Sequence, residues 1–440
     1  MIFFVRTAPF LILLLACLGA AEDIQRFPPP DFESGYVMPA TTTPQPRAGW
    51  LNYLDLAVLF TALSLASYLV IYKRNRPGIF ALTIFSLLYF GFYREGCVCS
   101  IGAIQNVAYS LFHANSAIPF VVIAFFLLPL IFALYSGRVF CAGVCPLGAI
   151  QDVVLIKPIR IPRWLLQSLG LIPYLYLGLA VLFAAQGSSF IICEYDPFVS
   201  FFRLSGRLNI IIVGFSLLAI GVFVGRPYCL FLCPYGAILR LLSRLSLWQV
   251  TVSPDECRQC QLCEEACPFG AIYPPTPEET QPIRKNRKQL AMMLVLLPIL
   301  VALGSWSFSL LAPTFSRTHP AVRLAEDISL EDSTHSETYS DASQAFRDLG
   351  QSKEVLFNQA RNLRNRFSWG AWILGGFFGF AVAFKLIGLS LPQQRMDYEI
   401  DNADCVACGR CFSYCPVELK RRREKKSSRS APKDQTIQEQ

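Results

Sequence analysis

Residues 257–268 read Cys257-Arg258-Gln259-Cys260-Gln261-Leu262-Cys263-Glu264-Glu265-Ala266-Cys267-Pro268. Residues 405–416 read Cys405-Val406-Ala407-Cys408-Gly409-Arg410-Cys411-Phe412-Ser413-Tyr414-Cys415-Pro416. Both follow Cys-x2-Cys-x2-Cys-x3-Cys-Pro. In this spacing three thiolates surround one iron–sulfur cube, and the fourth, ahead of the proline, ligates a second cube. Structural zinc modules use another plan, with paired Cys-x2-Cys units separated by a long gap. The two runs therefore predict one ferredoxin-like unit with two 4Fe–4S clusters, split in sequence. Crossed ligation assigns Cys257, Cys260, Cys263 and Cys415 to one cluster and Cys405, Cys408, Cys411 and Cys267 to the other.

The rest of the chain is apolar. Hydrophobic residues make up 53% of the 440 and charged residues 16%, against about 25% charged in soluble domains. The fold class read from this is mainly α, with polytopic membrane helices. About 20 apolar residues cross a bilayer, which predicts seven spans near 51–72, 78–93, 117–136, 171–187, 209–225, 290–312 and 370–391. With seven spans every basic cluster falls on one side: Lys73, Arg74 and Arg76; Arg138, Lys157, Arg160 and Arg163; Arg226, Arg240 and Arg244; Arg284, Lys285, Arg287 and Lys288; and the tail from Lys420 to Lys426. That side is the cytoplasm of an inner membrane. The net charge of +8 is thus a topology signal, and no nucleic-acid partner is expected. Two spans separate Cys267 from Cys405, so both ferredoxin halves emerge on the cytoplasmic side.

The remaining segments follow from this frame. Residues 1–21 predict a signal peptide: Arg6, the apolar stretch Ala8 to Gly19, then small Gly19, Ala20 and Ala21. Cys17 is either a lipid-anchor cysteine or an apolar residue of that signal. Residues 22–49 read as an exported linker and 50–250 as a membrane domain. Residues 251–289 form the first ferredoxin-like half, and 290–391 a membrane hairpin with an exported loop at 313–368. Residues 392–418 form the second half, followed by a basic, disordered tail at 419–440 that meets anionic lipid. In the loop, Phe346, Leu349, Lys353, Leu356, Ala360, Leu363 and Phe367 recur at 3–4 spacing. This predicts an amphipathic helix running into the last span, its stripe packed on the protein itself or on a partner.

A second cysteine pattern sits where spans end. Arg138-x2-Cys141-x3-Cys145-Pro146-x-Gly148-Ala149-Ile150 is repeated as Arg226-x2-Cys229-x3-Cys233-Pro234-x-Gly236-Ala237-Ile238. Cys141, Cys145, Cys229 and Cys233 can meet on the cytoplasmic side as a metal site, a further cluster or a dithiol switch. The bland alternative is packed thiols kept reduced. An altered copy, Arg94-x2-Cys97-x-Cys99-x2-Gly102-Ala103-Ile104, and Cys193 within Ile192-Cys193-Glu194-Tyr195-Asp196-Pro197-Phe198 are predicted on the exported side. They make a disulfide with a spare thiol, or a metal or cluster site completed by another ligand such as His113. The hydrocarbon core is about 30 Å thick, and an inward and an outward site would divide it into shorter electron steps. No catalytic triad, phosphate loop or Cys-x2-Cys-His is present, so an electron-transfer subunit is expected rather than a stand-alone enzyme.

The paired Arg-x2-Cys-x3-Cys-Pro elements and the polyferredoxin runs resemble the NosR/NapH family of membrane iron–sulfur proteins. The resemblance covers residues 50–272 and 405–416. It implies a conduit between the quinone pool and an exported reductase, such as one for nitrous oxide or nitrate. Some related proteins act in copper-enzyme assembly. The NosR proteins carry an exported flavin domain with a Ser/Thr-Gly-Ala-Thr attachment motif, whereas Gly102-Ala103 is followed here by Ile104. No covalent FMN is expected, and a flavin would come on a separate flavoprotein partner. The leading expectation is electron relay between a quinone or cytoplasmic donor and an exported redox partner. Copper reduction or metalloenzyme maturation, and redox-sensing regulation, are the alternatives.

Overall fold

The computed structural model describes residues 47–96, 100–113, 116–159, 161–252, 257–276, 283–334, 339–390, 395 and 397–430, leaving aside the side chains of 283–290, 390 and 425–430. The expected signal peptide, Cys17, nearly all of the linker, Cys97 and Cys99 lie outside the described residues.

The architecture is mainly α-helical, and all seven predicted apolar stretches are helices. Five are long and apolar enough to cross a membrane: Gly49–Tyr72, Arg76–Tyr93, Arg163–Ala185, Ala291–Ser309 and Lys353–Leu389. Two are shorter, Phe120–Ser136 and Leu208–Gly221. At 1.5 Å per residue they reach about 26 and about 21 Å, less than the hydrocarbon thickness. These two lead into the Cys-x3-Cys-Pro elements. Gly137, at φ +69°, breaks the first helix one residue before Arg138.

The two short-helix units are interwoven. After Phe120–Ser136 the chain forms the helices Val139–Gly143 and Pro146–Val154, then runs to the end of the other unit. There the Ile156 and Lys157 amides each donate to the Val222 carbonyl at 3.2 Å, and Ile159 donates to Phe223 at 2.8 Å. After Leu208–Gly221 come Pro227–Phe231 and Pro234–Ser243. Leu247 and Trp248 then donate to the carbonyls of Leu134 and Tyr135 at 3.0 and 2.8 Å. Pro146 and Pro234 each open a helix at its first position, where a missing N–H costs nothing.

The ferredoxin halves are joined by a short antiparallel pair, Ile272–Tyr273 with Glu399–Ile400, in the register Ile272↔Ile400 and Tyr273↔Glu399. Asp401 N–H extends it to the Ala271 carbonyl at 2.8 Å. The intervening hairpin is Ile283–Ser309 packed on the 38-residue helix Lys353–Ser390. Their crossing is built on glycine: a Cβ at Gly304 would strike the Gly375 carbonyl, and one at Gly379 the Leu300 carbonyl. Small residues let two membrane helices bring their backbones into contact.

Two expectations are corrected here. The amphipathic helix does not run unbroken from Phe346. Asp341–Asp348 is a separate helix, Gly350 turns the chain at φ +62°, Leu349 is 71% exposed, and the long helix begins at Lys353. Leu356, Ala360 and Leu363 pack on Phe346 and on Val322, Ala325 and Ile328 of the helix Pro320–Thr334, so the stripe is covered by the chain itself. The tail is not disordered from 419, because a helix runs Pro416–Ser430. Its Lys, Arg and Glu residues are good helix formers. Glu418–Arg422 and Lys420–Glu424 pair at i,i+4, and Glu418 also meets Arg74 at 3.3 Å.

Candidate functional site

Each ferredoxin run wraps its middle cysteine in the same backbone. Gln259 and Gln261 flank Cys260 at φ 49° and 63°, and Ala407 and Gly409 flank Cys408 at 53° and 71°. A non-glycine residue in this left-handed region costs on the order of 1–3 kcal/mol and persists where the surroundings demand it. Three such residues around two cysteines mark loops shaped for a ligand.

The folded chain sorts the eight cysteines into two groups. Cys257, Cys260, Cys263 and Cys415 line one cavity together with Tyr398 and Pro416. Burial pushes the Cys263 thiol up to about 11, with the charges of Cys415 and Cys257 adding to it. The second group is Cys405, Cys408, Cys411 and Cys267. Burial, then the like charge of Cys408 and Cys267, pushes Cys405 up to about 12. Burial, then Cys408, Cys405 and Cys267, raises Cys411 well above the ordinary thiol range. Thiols buried in this way ionise only when a positive centre joins them. Among the described residues no three His, Cys, Asp or Glu side chains close to the spacing of a single metal ion. Four thiols around a cavity, without a competing histidine, fit a 4Fe–4S cluster.

Cys141, Cys145, Cys229 and Cys233 form a third, wholly buried group. Burial and the charges of Cys229, Cys141 and Cys233 push the Cys145 thiol well up. Cys229 stands at about 11: burial raises it, while Arg226, Arg138 and Gln151 pull the other way. The flanking arginines explain the motif. Arg226, itself fully buried, donates to the Cys141 carbonyl and, at 3.1 Å, to that of Ala142. Arg138 lies 3.9 Å from Cys141 Sγ. A Cβ on Gly148 would sit 3.3 Å from Arg226 Nη1 and 3.7 Å from Cys229 Sγ, and one on Gly236 would sit 3.6 Å from Arg138 Nη2. Each repeat's glycine therefore makes room for the other repeat's arginine.

Two residues of this site were not singled out from sequence. Gln151 accepts the Tyr228 amide at 3.0 Å and places its Nε2 3.5 Å from Cys229 Sγ. Asp152 meets Arg76 at 2.7 Å, and Arg226 and Arg410 at 3.4 Å each. Burial alone would raise its carboxyl, but Arg226, Arg76 and Arg410 outweigh that and hold it at about 2.

The second ferredoxin run docks on this quartet. Arg138 donates to the Ala403 carbonyl at 3.1 Å, Ser243 to Asn402 at 3.0 Å and Arg76 to Cys408 at 2.9 Å. Gly225, next to Arg226, abuts Pro268. The group containing Cys405 thus lies nearer the quartet, and the group containing Cys257 lies beyond it.

Of the expected exported-side residues, Cys193 is exposed. His113 packs on its own helix. Its ring stacks on Tyr109 at 4.2 Å, and its Nδ1 pairs with the Tyr109 carbonyl at 2.9 Å. Gln105, which receives the Cys193 amide, is about 12 Å away along the same helix.

A family model described as a 4Fe-4S binding domain matches residues 118–162 and 207–250, the two interwoven units. A second, of the same description, matches 250–273 and 398–419, the two ferredoxin halves. Together with the cysteine groups and the long apolar helices, these matches define an iron–sulfur protein of ferredoxin type with helices long and apolar enough to cross a membrane. Protein NirI of Paracoccus denitrificans is 29% identical over 49% of this chain and 34% of its own length. Regulatory protein NosR of Pseudomonas aeruginosa is 28% identical over 50% and 33%. The methylamine utilization ferredoxin-type protein MauN of Paracoccus denitrificans is 31% identical over 34% and 54%. The chain spans about a third of the length of NirI and NosR. These matches support a ferredoxin-type 4Fe–4S protein of the NosR/NapH type. No solved structure matches.

Proposed function

We propose that the protein conducts electrons across the cytoplasmic membrane, between a quinone or cytoplasmic donor and an exported redox partner. Seven crossings put the ferredoxin unit in the cytoplasm and the N-terminus and the 313–368 loop outside. The partner is a reductase or a separate flavoprotein, with no FMN bound covalently to this chain. In this reading Cys257, Cys260, Cys263 and Cys415 hold a distal 4Fe–4S cluster, and Cys405, Cys408, Cys411 and Cys267 a proximal one. Cys141, Cys145, Cys229 and Cys233 hold a third centre. When bound, a 4Fe–4S cluster stores and releases one electron, at a potential set by burial and hydrogen bonds to sulfur.

The observation that carries the proposal is the docking of the second run on the quartet, through Arg138 to Ala403, Ser243 to Asn402 and Arg76 to Cys408. These bonds support the order distal, proximal, quartet. Arg138 and Arg226 supply positive charge beside the quartet thiols without offering a competing ligand. The test uses the intact protein in sealed vesicles, with a reduced quinone and an acceptor on opposite faces. Paired Cys141→Ser and Cys229→Ser substitutions should stop transmembrane electron flow while the EPR of the ferredoxin clusters persists. Undiminished flow in that variant would sink the proposal.

A further inference from the structure

The Cys-x3-Cys-Pro site has a partial double elsewhere in the fold. Gly148-Ala149-Ile150-Gln151 is matched by Gly102-Ala103-Ile104-Gln105. Gln151 Oε1 accepts the amide of Tyr228, the residue before Cys229, at 3.0 Å. Gln105 Oε1 accepts the amide of Ile192, the residue before Cys193, at 3.0 Å, and that of Cys193 itself at 3.4 Å. Two equivalent glutamines therefore hold two equivalent cysteine turns.

The correspondence continues past the cysteine. Cys229-x3-Cys233-Pro234-Tyr235-Gly236 is matched by Cys193-x2-Asp196-Pro197-Phe198-Val199, with one residue fewer between the donors. Cys233 Sγ accepts the amide three residues on, Gly236, at 3.3 Å. Asp196 Oδ1 accepts the amide three residues on, Val199, at 3.4 Å, and that of Phe198 at 2.9 Å. Asp196 stands where the proline-linked cysteine stands in the quartet.

The two sites differ in what their buried polar atoms find. Gln151 Nε2 donates to the Leu147 carbonyl and faces Cys229 Sγ. Among the described residues, Gln105 is 0% exposed and its Nε2 finds no partner, and Asp196 is 3% exposed and its Oδ2 finds none. Buried polar atoms are nearly always satisfied, and exceptions call for a missing ion or ligand. A buried carboxylate oxygen three residues from a cysteine offers a second donor on the same turn. Cys193 lies in the short helix Ile191–Tyr195 and Asp196 caps that helix, so the two belong to one neighbourhood. Phe198 leads inward from it, its ring meeting that of Tyr228 edge-on at 5.4 Å, and Tyr228 adjoins Cys229.

We propose that the Cys193 thiolate and the Asp196 carboxylate are donors to an iron centre, built on the plan of the quartet with aspartate in place of its proline-linked cysteine. The Gln105 amide orients the cysteine turn and offers its Nε2 to the thiolate, as Gln151 does for Cys229. Thiolate and carboxylate can hold zinc or iron; iron, as an ion or within a cluster, is the choice here because the site follows the plan of units that match a 4Fe-4S binding model. For the purpose of this centre, one electron in and one out beside the quartet, the inference rests on the conduit reading above. Its binding chemistry stands apart from that reading.

The test measures iron, acid-labile sulfide and zinc per chain, with EPR over a redox titration, on anaerobically purified full-length protein. The variants are Cys193→Ser, Asp196→Asn and Asp196→Cys. Asparagine keeps the acceptor for the Phe198 and Val199 amides, so that variant retains the local cap. Cys193→Ser and Asp196→Asn should lose the same iron increment and the same EPR signal, with the ferredoxin signals unchanged. Asp196→Cys should recover the iron with an altered spectrum. Sulfide lost with the iron identifies a cluster, and iron lost alone identifies an ion; either supports the proposal. Iron unchanged in both Cys193→Ser and Asp196→Asn overturns it, as does zinc as the metal lost. Absence of ferredoxin signals in the parent protein would count against the conduit reading instead.

Discussion

Asp152 is the residue on which the inner site depends most, and nothing in its local sequence announces it. It follows Gly-Ala-Ile-Gln on a short helix, and its meaning comes from Arg76, Arg226 and Arg410, which reach it from three distant parts of the chain. The cysteines were legible because metal spacing is local. Gln151 was detectable in principle, since Gly-Ala-Ile-Gln occurs twice. The carboxylate was not, because burial of an ion pair is decided by tertiary packing. Asp152→Asn leaves buried guanidinium groups without their counter-charge. It should cost about 3–5 kcal/mol, read as a lower melting temperature with loss of the iron proposed for the quartet. The pH dependence has a definite sign. The folded carboxyl titrates at about 2 rather than 3.8, so its contribution is present above pH 4 and is lost as pH falls towards 2. The shift corresponds to about 2 kcal/mol. Protonated Asp152 resembles asparagine, so the melting-temperature gap between parent and Asp152→Asn should narrow over that window. A gap independent of pH would show that the charge is not what matters. Gly148 carries a second prediction at this scale. A Cβ at that position would already sit 3.3 Å from Arg226 Nη1, and the two methyls of valine add to the crowding, so Gly148→Val should remove the iron proposed for the quartet while the eight or so ferredoxin irons remain. Full iron content in that variant would refute the arginine cradle.

Among the elements, the helix positions were legible and their exact reach was not. Apolar length locates all seven stretches, because in a bilayer backbone groups must be satisfied within the helix. Two of them stop short, at Ser136 and Gly221, because the chain must turn to bring Cys141 and Cys229 together. The Phe346 stripe was misread as one helix because 3–4 spacing ignores a turn that keeps the same phase. The tail was misread because a charge run was equated with disorder, although Glu418 anchors it to Arg74. The hairpin Ile283–Ser309 and Lys353–Ser390 depends on backbone contact at Gly304, Gly375 and Gly379. Gly375→Val should force these helices apart and destabilise the protein by roughly 1–3 kcal/mol, the usual range for overpacking. The measurement is thermal unfolding in detergent or nanodiscs. Since Gly375 lies far along the chain from any cysteine, iron per chain should be unchanged at low temperature. A variant that melts like the parent would mean the crossing tolerates separation.

At the scale of the whole molecule, sequence distance and electron distance are decoupled. The hairpin is inserted between two ferredoxin halves that nevertheless close into one unit through Ile272↔Ile400 and Tyr273↔Glu399. The consequence is a crossed pattern among cysteine substitutions, the one the motif spacing predicts. Cys415 lines the cavity of Cys257, Cys260 and Cys263, while Cys267 lies with Cys405, Cys408 and Cys411. Cys415→Ser should therefore have the spectroscopic consequence of Cys257→Ser, loss of the distal cluster, and should leave electron transfer between the proximal cluster and the quartet intact. Cys267→Ser should behave like Cys405→Ser, removing the proximal cluster and cutting the distal one off from the quartet. EPR of the four variants, with stopped-flow reduction of the quartet centre by a soluble one-electron donor, separates the two classes. If Cys415→Ser instead grouped with Cys405→Ser, each run would be holding its own cluster. The split unit would then be two independent modules, and the order supported by Arg138, Ser243 and Arg76 would no longer determine which centre the donor meets first.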